Sequence, residues 1–597
     1  MATDFKTLTA LSIREGESDA AQDLHWLRQN VPCQAACPAG TDIPGYLEAI
    51  YHGRFDEAYE INLRDNVFPA VLGRVCSRPC EDACRHGWEG NGEPVAICFS
   101  KRSAADFATR TLVALEPLFS PSGKRVAIVG AGVAGLAAAR ELARFGHAVT
   151  VFEKHRTAGG MLNQGIPAFR LPRDIVEREV RQVTATGVHV RCGIEIGRDV
   201  PLAELIAGHD AVILAAGTLR PNLPGLAGET LSGVEHGLQF LLEVNEAGRT
   251  RIGRRVAVIG GGYTAMDCAR SALRLGAEVG VYYRRAREDM VVLPGELEEL
   301  LAEGGRLDTG CVPQACLGAQ SVSGVRFART HSGVVGPDGR RLPEVVAGSE
   351  FLAEAHSVIF ATGQFPETGW IDAPLRKQLV GRDGWLASGR AHETAHPKVF
   401  AAGDFALGAT TLIQAIGHAK ECARKVDAMF SGARRSRLLA SAGPAFRSGI
   451  AGGHGTGRSP DMNAIPIHPM PLLPVAERQG IAEVETGFQR STASAEASRC
   501  YLCHYKFEIV DSKCVLCDEC LKVKPVDGCI VEIADLLRDE EGRITGYRRV
   551  EKGRTDSLYY NRLWIDQSQC VRCGRCEAVC PVGAITIQKV SLTEQPL

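Results

Sequence analysis

The chain has 597 residues, 45% of them apolar and 23% charged, with a formal net charge of −2. Such a make-up fits a globular protein of three or four domains, and near-neutrality gives no reason to expect nucleic acid or an anionic membrane as partner. No apolar run is long enough to span a bilayer, and Met1 to Asn30 holds no signal-peptide core, so a total of 21 cysteines argues against disulfides and for metal binding in a reducing, cytoplasmic setting.

The first cysteines form two groups: Cys33 and Cys37-Pro38, then Cys76, Cys80, Cys84 and Cys98. Between them, Ile43 to Asn62 carries apolar residues at helical spacing. A small helical domain over residues 1–120 is expected, with its cysteine-bearing turns brought together by that packing. Turns rich in proline and glycine suit ligands, whereas the alternative, buried free thiols, is common in cores.

Residues 124–129 then form a short apolar strand running into Gly130-Ala-Gly132-Val-Ala-Gly135 and an alanine-rich helix. Glycines there permit a tight turn and let a pyrophosphate approach the positive end of the helix. The next strand, Ala148 to Phe152, ends at Glu153, a carboxylate placed to accept from ribose hydroxyls. From Arg255 the pattern repeats, with Gly260-Gly261-Gly262-Tyr263-Thr264-Ala265 opening a second helix. Strand Val279 to Tyr283 ends in Arg284-Arg285 rather than an acid, which suits the 2′-phosphate of NADP over the free hydroxyl of NAD. A solvated basic turn is the alternative reading of those two arginines.

Residues 431–480 are rich in Gly, Pro, Ser and Arg and read as a linker. The tail opens with Cys500 and Cys503, continues through Cys514, Cys517, Cys520 and Cys529, and closes with Cys570, Cys573, Cys576 and Cys580-Pro581. The last group reads C-x2-C-x2-C-x3-C-P, the bacterial ferredoxin run, whose fourth cysteine serves the other cluster of a pair. Paired C-x2-C motifs also make zinc ribbons, which keeps zinc as an alternative. The first run lacks its fourth cysteine: Lys524 stands before Pro525. Cys529 is expected to supply the ligand owed to the Cys570 cluster.

Several stretches resemble one family. Cys37-Pro38 followed by TDIPGYLEAI, then GRVCSRPCEDAC and EPVAI, resembles the N-terminal domain of the glutamate synthase small subunit. Dihydropyrimidine dehydrogenase and the NAD(P)H-linked ferredoxin:NADP oxidoreductases share that domain. The resemblance implies [4Fe–4S] clusters there. It also implies that Gly159-Gly160-Met161-Leu162 and the loop from Gly165 to Pro172, with Arg170, hold a flavin. Ala401-Ala-Gly403-Asp404 resembles the distal flavin motif, and the helix beginning at Thr410-Thr411 would aim its N-terminus at the same group, so the first nucleotide is taken as FAD. Strand ends at Gly217 and Gly363 match the family's crossings between lobes. Thioredoxin reductase-like relatives carry a C-x2-C pair near the second fingerprint; only Cys268 stands there, so disulfide chemistry is not expected.

Members of this family begin with a further C-x2-C pair ahead of the positions of Cys33 and Cys37. It is missing there, but Pro469 to Cys503 resembles the segment that carries it. Cys500 and Cys503 are therefore expected to fold back and share a cluster with two of Cys33, Cys37 and Cys84. The other N-terminal cluster would take the remaining cysteines, with Cys98 or a non-cysteine residue as its fourth ligand. Sixteen candidate cysteines then suffice for four clusters; if Cys500 and Cys503 are idle thiols, three remain.

The expected fold is multidomain α/β. A helical iron–sulfur domain (1–120) precedes a glutathione reductase-like FAD lobe (121–250 and 366–432) with a nested NAD(P) lobe (251–365). A linker (433–495) and a ferredoxin-like 2[4Fe–4S] α+β domain (496–597) follow. Hydride transfer between nicotinamide and flavin needs alignment rather than a proton donor, so no catalytic acid or base is named. The expected function is an iron–sulfur flavoprotein passing electrons between NAD(P)H and a ferredoxin or an iron–sulfur catalytic subunit, such as a 2-oxoacid or aldehyde oxidoreductase. A glutamate synthase small subunit and a pure electron relay are the alternatives.

Overall fold

The computed structural model describes residues 26–596 except 28–29, 111, 114, 247, 249–250, 337–340, 388–391, 434–435, 445–455, 539, 541–543 and 550–561. Most of the N-terminal stretch read for a targeting signal lies outside the described residues. The chain divides into two compact units, residues 114–426 with 471–486, and residues 1–113 with 427–470 and 487–597.

In the first of these, apolar runs form two parallel sheets. One orders its strands Val399–Ala401, Ala211–Leu214, Arg125–Val129, Ala148–Glu153 and His189–Cys192. The other orders Val234–His236, Ser357–Phe360, Arg255–Ile259, Glu278–Tyr283 and Arg306–Thr309. Central strands such as Ala211–Leu214 and Ser357–Phe360 are buried throughout, as parallel strands covered on both faces must be. Between the lobes, Arg220–Pro221 and Gln364–Phe365 pair antiparallel, and Thr362 Oγ1 donates to the Asn222 carbonyl at 2.6 Å. The second sheet begins at Val234, earlier than the fingerprint at residue 255, because the chain crosses just after Gly217.

The segment 471–486 returns to this unit through charge. Arg478 reaches Glu299 at 2.5 Å and Glu303 at 3.3 Å, while Arg270 and Arg274 reach Glu303 at 2.6 and 2.8 Å. Burial raises the pKa of Glu303, but the hydrogen bonds from Arg270 and Arg274 outweigh it and bring the value down to about 2. A folded pKa below the ordinary carboxylate value of about 4.3 stabilises the fold above that pH, and the contribution is lost as pH falls toward 2. Glu303→Gln leaves the buried Arg274 without its carboxylate and takes one partner each from Arg270 and Arg478, and about 3–5 kcal/mol of destabilisation is expected. Denaturant unfolding of native and variant chains should show that gap at neutral pH and its narrowing as pH falls below about 4.

The other unit packs helices Ile43–Tyr51, Phe55–Asn66, Pro69–Val75 and Ile97–Phe107 around Tyr46, Tyr59 and Phe68, all nearly inaccessible. Part of the segment read as a linker over 433–495 is regular structure here. Ser436–Pro444 pairs antiparallel with the final strand Ile585–Pro596, which also pairs with Tyr505–Ile509. Helix Arg490–Ser498 docks on the N-terminal helices: Ser494 Oγ donates to the Ile50 carbonyl at 3.1 Å, and Glu496 accepts from the Ala96 amide at 2.7 Å. Composition pointed to a linker because backbone partners, not apolar periodicity, hold these pieces. Three further strands, Ile544–Arg549, Ile530–Arg538 and Arg562–Ile565, form a second small antiparallel sheet. Among the described residues no helix is long and apolar enough to cross a membrane.

Candidate cofactor sites

The first fingerprint opens onto a cavity of about 350 Å³. Gly130 has φ +103°, and a Cβ there would lie 2.5 Å from the Ala215 carbonyl oxygen. A Cβ on Gly135 would fall 1.9 Å from the Gly130 oxygen, so only glycine lets helix Val133–Arg144 start so close to its strand. Gly132 meets no atom within 4 Å of an added Cβ, and no side chain caps the helix. Its first N–H groups therefore face the cavity, as a bound pyrophosphate requires.

Glu153 also lines this cavity; its oxygens accept from the Ala131 amide at 2.8 Å and the His155 amide at 2.9 Å. Gly160, Met161 and Gly217 border the same space. From the far end come Asp404, which accepts from the Thr410 amide at 3.1 Å, and Thr411. Burial raises the pKa of Asp404. Gly403, φ +66°, sits behind it, where a Cβ would touch Ala134. Lys154 and Trp370 line the cavity too, and sequence reasoning missed both. Lys154 could have been found as the neighbour of Glu153 at the strand end; Trp370 comes from a distant loop with no motif.

Two residues expected at the flavin lie elsewhere. Leu162 is fully buried beneath the cavity. Arg170 donates to Asp267 at 2.6 Å and pairs with Glu296, both on the helices of the second lobe. Two carboxylates hold its guanidinium more firmly than a neutral ring edge would. Burial lifts Asp267 to about 6 despite that arginine.

At the second fingerprint, Gly260 (φ +149°) approaches the Ala361 oxygen, where a Cβ would lie 2.4 Å away, and Gly262 faces open space. Helix Tyr263–Arg274, with Thr264 in its first turn, has no side-chain cap, so the same anion-binding geometry recurs. Gly363 is exposed at the crossing, and its carbonyl accepts from the Asn222 amide at 3.2 Å. Arg284 is exposed at the strand end, but Arg285 turns inward and its Nε donates to the Arg341 carbonyl at 2.9 Å. Only Arg284 is thus presented to solvent there. Cys268 is buried, its thiol against the Gly237 carbonyl at 3.6 Å.

In the helical unit the cysteines gather in sets. Cys33, Cys84, Cys500 and Cys503 surround one small cavity, although more than 400 residues separate the halves of the set. Burial pushes the Cys33 thiol up, and Cys84, Cys503 and Cys500 push it further. Cys98 lies against both Cys76 and Cys80, with Cys37 in the same neighbourhood. Nearly inaccessible Lys101, one turn along the Cys98 helix, has its positive charge reinforced by those sulfurs. Cys529, Cys570, Cys573 and Cys576 surround a third cavity with Lys524, whose Nζ donates to the Ile530 carbonyl at 3.2 Å. Burial, then Cys570, lifts Cys529 to about 12. Cys514 and Cys517 adjoin Cys520, which burial raises to about 11. The Val510 amide donates to the Ala584 carbonyl at 2.8 Å, laying the Cys580 turn beside the Cys514 loop.

A common turn builds four of these loops. Arg78, Leu502, Leu516 and Arg572, each two residues after a cysteine, adopt left-handed φ of +58°, +49°, +54° and +55°. Three aim their amide at that cysteine's sulfur: Arg78 at Cys76 (3.5 Å), Leu502 at Cys500 (3.4 Å) and Arg572 at Cys570 (3.4 Å). Non-glycine residues are costly in this conformation, so its recurrence marks a function. Amides pointed at sulfur fit thiolates that carry negative charge, and such bonds tune iron–sulfur potentials. Metal would supply the charge, since a coordinating thiol is deprotonated outright.

Two dinucleotide lobes in one unit and cysteine-lined sites in the other define a nicotinamide-linked iron–sulfur flavoprotein. Comparison with known proteins agrees: the pyridine nucleotide-disulphide oxidoreductase family matches residues 124–424. The dihydropyrimidine dehydrogenase domain II 4Fe-4S cluster family matches residues 15–112, and the 4Fe-4S binding domain residues 563–586. The chain belongs to the pyridine nucleotide-disulphide oxidoreductase family, and to the iron–sulfur group within it that includes glutamate synthase small subunits.

Its similarity to the NADP(+)-dependent formate dehydrogenase subunit beta of Moorella thermoacetica is 36% identity, covering 79% of this chain and 70% of that one. To the NADPH-Fe(3+) oxidoreductase subunit beta of Geobacter sulfurreducens it is 37%, covering 67% and 64%. To the glutamate synthase [NADPH] small chain of Escherichia coli it is 36%, covering 68% and 90%. FAD, a pyridine nucleotide and [4Fe–4S] clusters are therefore its cofactors, and it transfers electrons between the nucleotide and iron–sulfur groups.

Proposed function

We propose that the chain is the NADPH-linked module of a larger redox complex, holding four [4Fe–4S] clusters and exchanging electrons with an iron–sulfur catalytic subunit or a ferredoxin. The observation that carries this is the Cys500–Cys503 loop. It shares its left-handed turn and amide-to-sulfur bond with the Cys570 loop, and it meets Cys33 and Cys84 around one cavity. Idle thiols would need neither feature.

The ligand sets are then Cys33, Cys84, Cys500 and Cys503; Cys37, Cys76, Cys80 and Cys98; Cys529, Cys570, Cys573 and Cys576; and Cys514, Cys517, Cys520 and Cys580. FAD would lie along the cavity of Gly130, Glu153 and Asp404, and its ring would supply the two-electron to one-electron conversion. The chain's own contribution is alignment: uncapped helix ends for the phosphates, Glu153 for the ribose, and Asp404 for the ribityl chain.

NADPH is favoured over NADH because Arg284 ends the second lobe's nucleotide strand, where a guanidinium suits a phosphate. Of the three relatives described above, two are named as beta subunits and one as a small chain, and each name carries NADP or NADPH, which supports a catalytic partner for this chain. A 2-oxoacid or aldehyde oxidoreductase fits that role chemically, since either can exchange electrons through iron–sulfur groups.

An anaerobic viologen-reductase assay on the isolated chain tests the proposal. NADPH should support turnover, and Arg284→Ala should raise KM for NADPH about tenfold or more while leaving that for NADH nearly unchanged, from the loss of one charge-assisted contact. No turnover with either nucleotide would point to a pure relay instead. Equal effects on both nucleotides would remove Arg284 from the phosphate site.

A further inference from the structure

Three arginines pack between two of the cysteine sets. Arg85 is 3% exposed, Arg458 5% and Arg572 0%. Arg85 donates to Cys503 Sγ at 3.3 Å and to the Cys570 carbonyl at 3.4 Å, and also to the Ser568 carbonyl. Arg572, from the loop between Cys570 and Cys573, donates to the Tyr505 carbonyl at 3.2 Å, to the Cys503 carbonyl at 3.5 Å and to the Cys570 carbonyl. Arg458 donates to the Val571 carbonyl at 2.8 Å and the Arg499 carbonyl at 3.3 Å, with its guanidinium over the Tyr501 ring.

Their acceptors are backbone carbonyls, one amide side chain and one sulfur; among the described residues none of the three pairs with a carboxylate. Neighbouring Arg499 differs, holding Glu496 at 2.6 Å. Three like charges buried together cost far more than carbonyl contacts return, unless other negative charge is present. Arginine does not escape by losing its proton. The anionic groups left to face them are the thiolates of Cys500, Cys503, Cys570 and Cys573.

We propose that Arg85, Arg458 and Arg572 form an electrostatic junction joining the site of Cys500 and Cys503 to the site of Cys570 and Cys573, and that Arg85, bonded to both, raises the reduction potential on either side. This rests on the ligand sets proposed above. Reduction of either site adds one electron and no proton, so a full negative charge appears beside fixed guanidiniums that favour it. The donor to Cys503 Sγ acts in the same direction. Arg85 is a positioning residue: it fixes the approach of two loops and the field between them, and touches no substrate.

Two measurements test this. In the native protein, reduced until both sites hold an electron, the electron paramagnetic resonance signals should show mutual splitting. Simple additive signals would overturn the junction. Then Arg85→Gln and Arg85→Lys are titrated under the same spectroscopy with iron counted in each. Arg85→Gln should shift the reduction equilibrium of the flanking sites at least tenfold toward the oxidised form, about 59 mV for one electron, while Arg85→Lys keeps most of the native value. Iron loss in Arg85→Gln but not in Arg85→Lys supports the same role of charge. Full iron with native potentials in Arg85→Gln would overturn it. If iron is lost from both variants, the native spectrum decides. Retention of all iron by the Cys500→Ser/Cys503→Ser chain would instead sink the ligand assignment beneath it, which keeps the two failures apart.

Discussion

The Cys500→Ser/Cys503→Ser chain, purified without oxygen, is expected to carry about twelve irons where the native protein carries about sixteen, one cuboidal cluster fewer. Cys33 and Cys84 alone supply half a ligand set, and a serine oxygen is a poor substitute for thiolate at iron. Because cluster binding contributes folding free energy, the helical unit should also unfold more readily. The loss ought to be confined, since the third and fourth sets draw nothing from Cys500 or Cys503. Iron and acid-labile sulfide per chain, with the unfolding midpoint beside them, check the result. About twelve irons in both chains would leave Cys500 and Cys503 as bystanders and reduce the chain to three clusters, and about sixteen in both would place the fourth cluster on other ligands.

Gly135→Ala should strip the flavin. The added Cβ would lie 1.9 Å from the Gly130 oxygen, a backbone atom that cannot rotate aside, so the helix start must move away from its strand. Overpacking of this kind costs about 1–3 kcal/mol, and the same shift moves the N–H groups aimed at the pyrophosphate. Flavin affinity should fall roughly ten- to a hundredfold, with nucleotide-driven reduction of viologen falling alongside it. Iron content should stay near the native value, because the cysteine sets belong to the other unit. Flavin released per mole of protein is the measurement, and full retention would remove Gly135 from the pyrophosphate turn.

The two dinucleotide fingerprints were readable because strand, glycine turn and helix are consecutive, and the tight glycines Gly130, Gly135 and Gly260 answer to atoms only a few residues or one strand away. The loops at Cys514 and Cys570 were readable for the same reason. Dinucleotide and cluster binding followed from them, and the flavin from the family resemblance. Arg170 and Arg285 show the limit. Both stand in stretches whose pattern or resemblance promised a cofactor contact, yet Arg170 is taken by Asp267 and Glu296, and Arg285 by the Arg341 carbonyl. A motif fixes where a side chain starts, while a buried counter-charge fixes where it ends.

Residues 433–495 carry the same lesson. Their composition is that of a linker, but a strand pairing with the chain's end and a helix set against the N-terminal domain come from this stretch. Hydrogen bonding to distant backbone leaves no periodic trace in sequence.

Local pattern was enough to establish two dinucleotide lobes and cysteine loops built for clusters, because each depends on neighbours along the chain; the flavin of the first lobe was implied by the family resemblance. The grouping of those cysteines was settled by packing. Cys33 and Cys84 meet Cys500 and Cys503 because helix Arg490–Ser498 lies on the N-terminal helices. Arg85, Arg458 and Arg572 share one buried space because that docking carries the tail with it. No spacing rule reaches across 400 residues; burial of apolar helix faces and the demand that buried charge be met do.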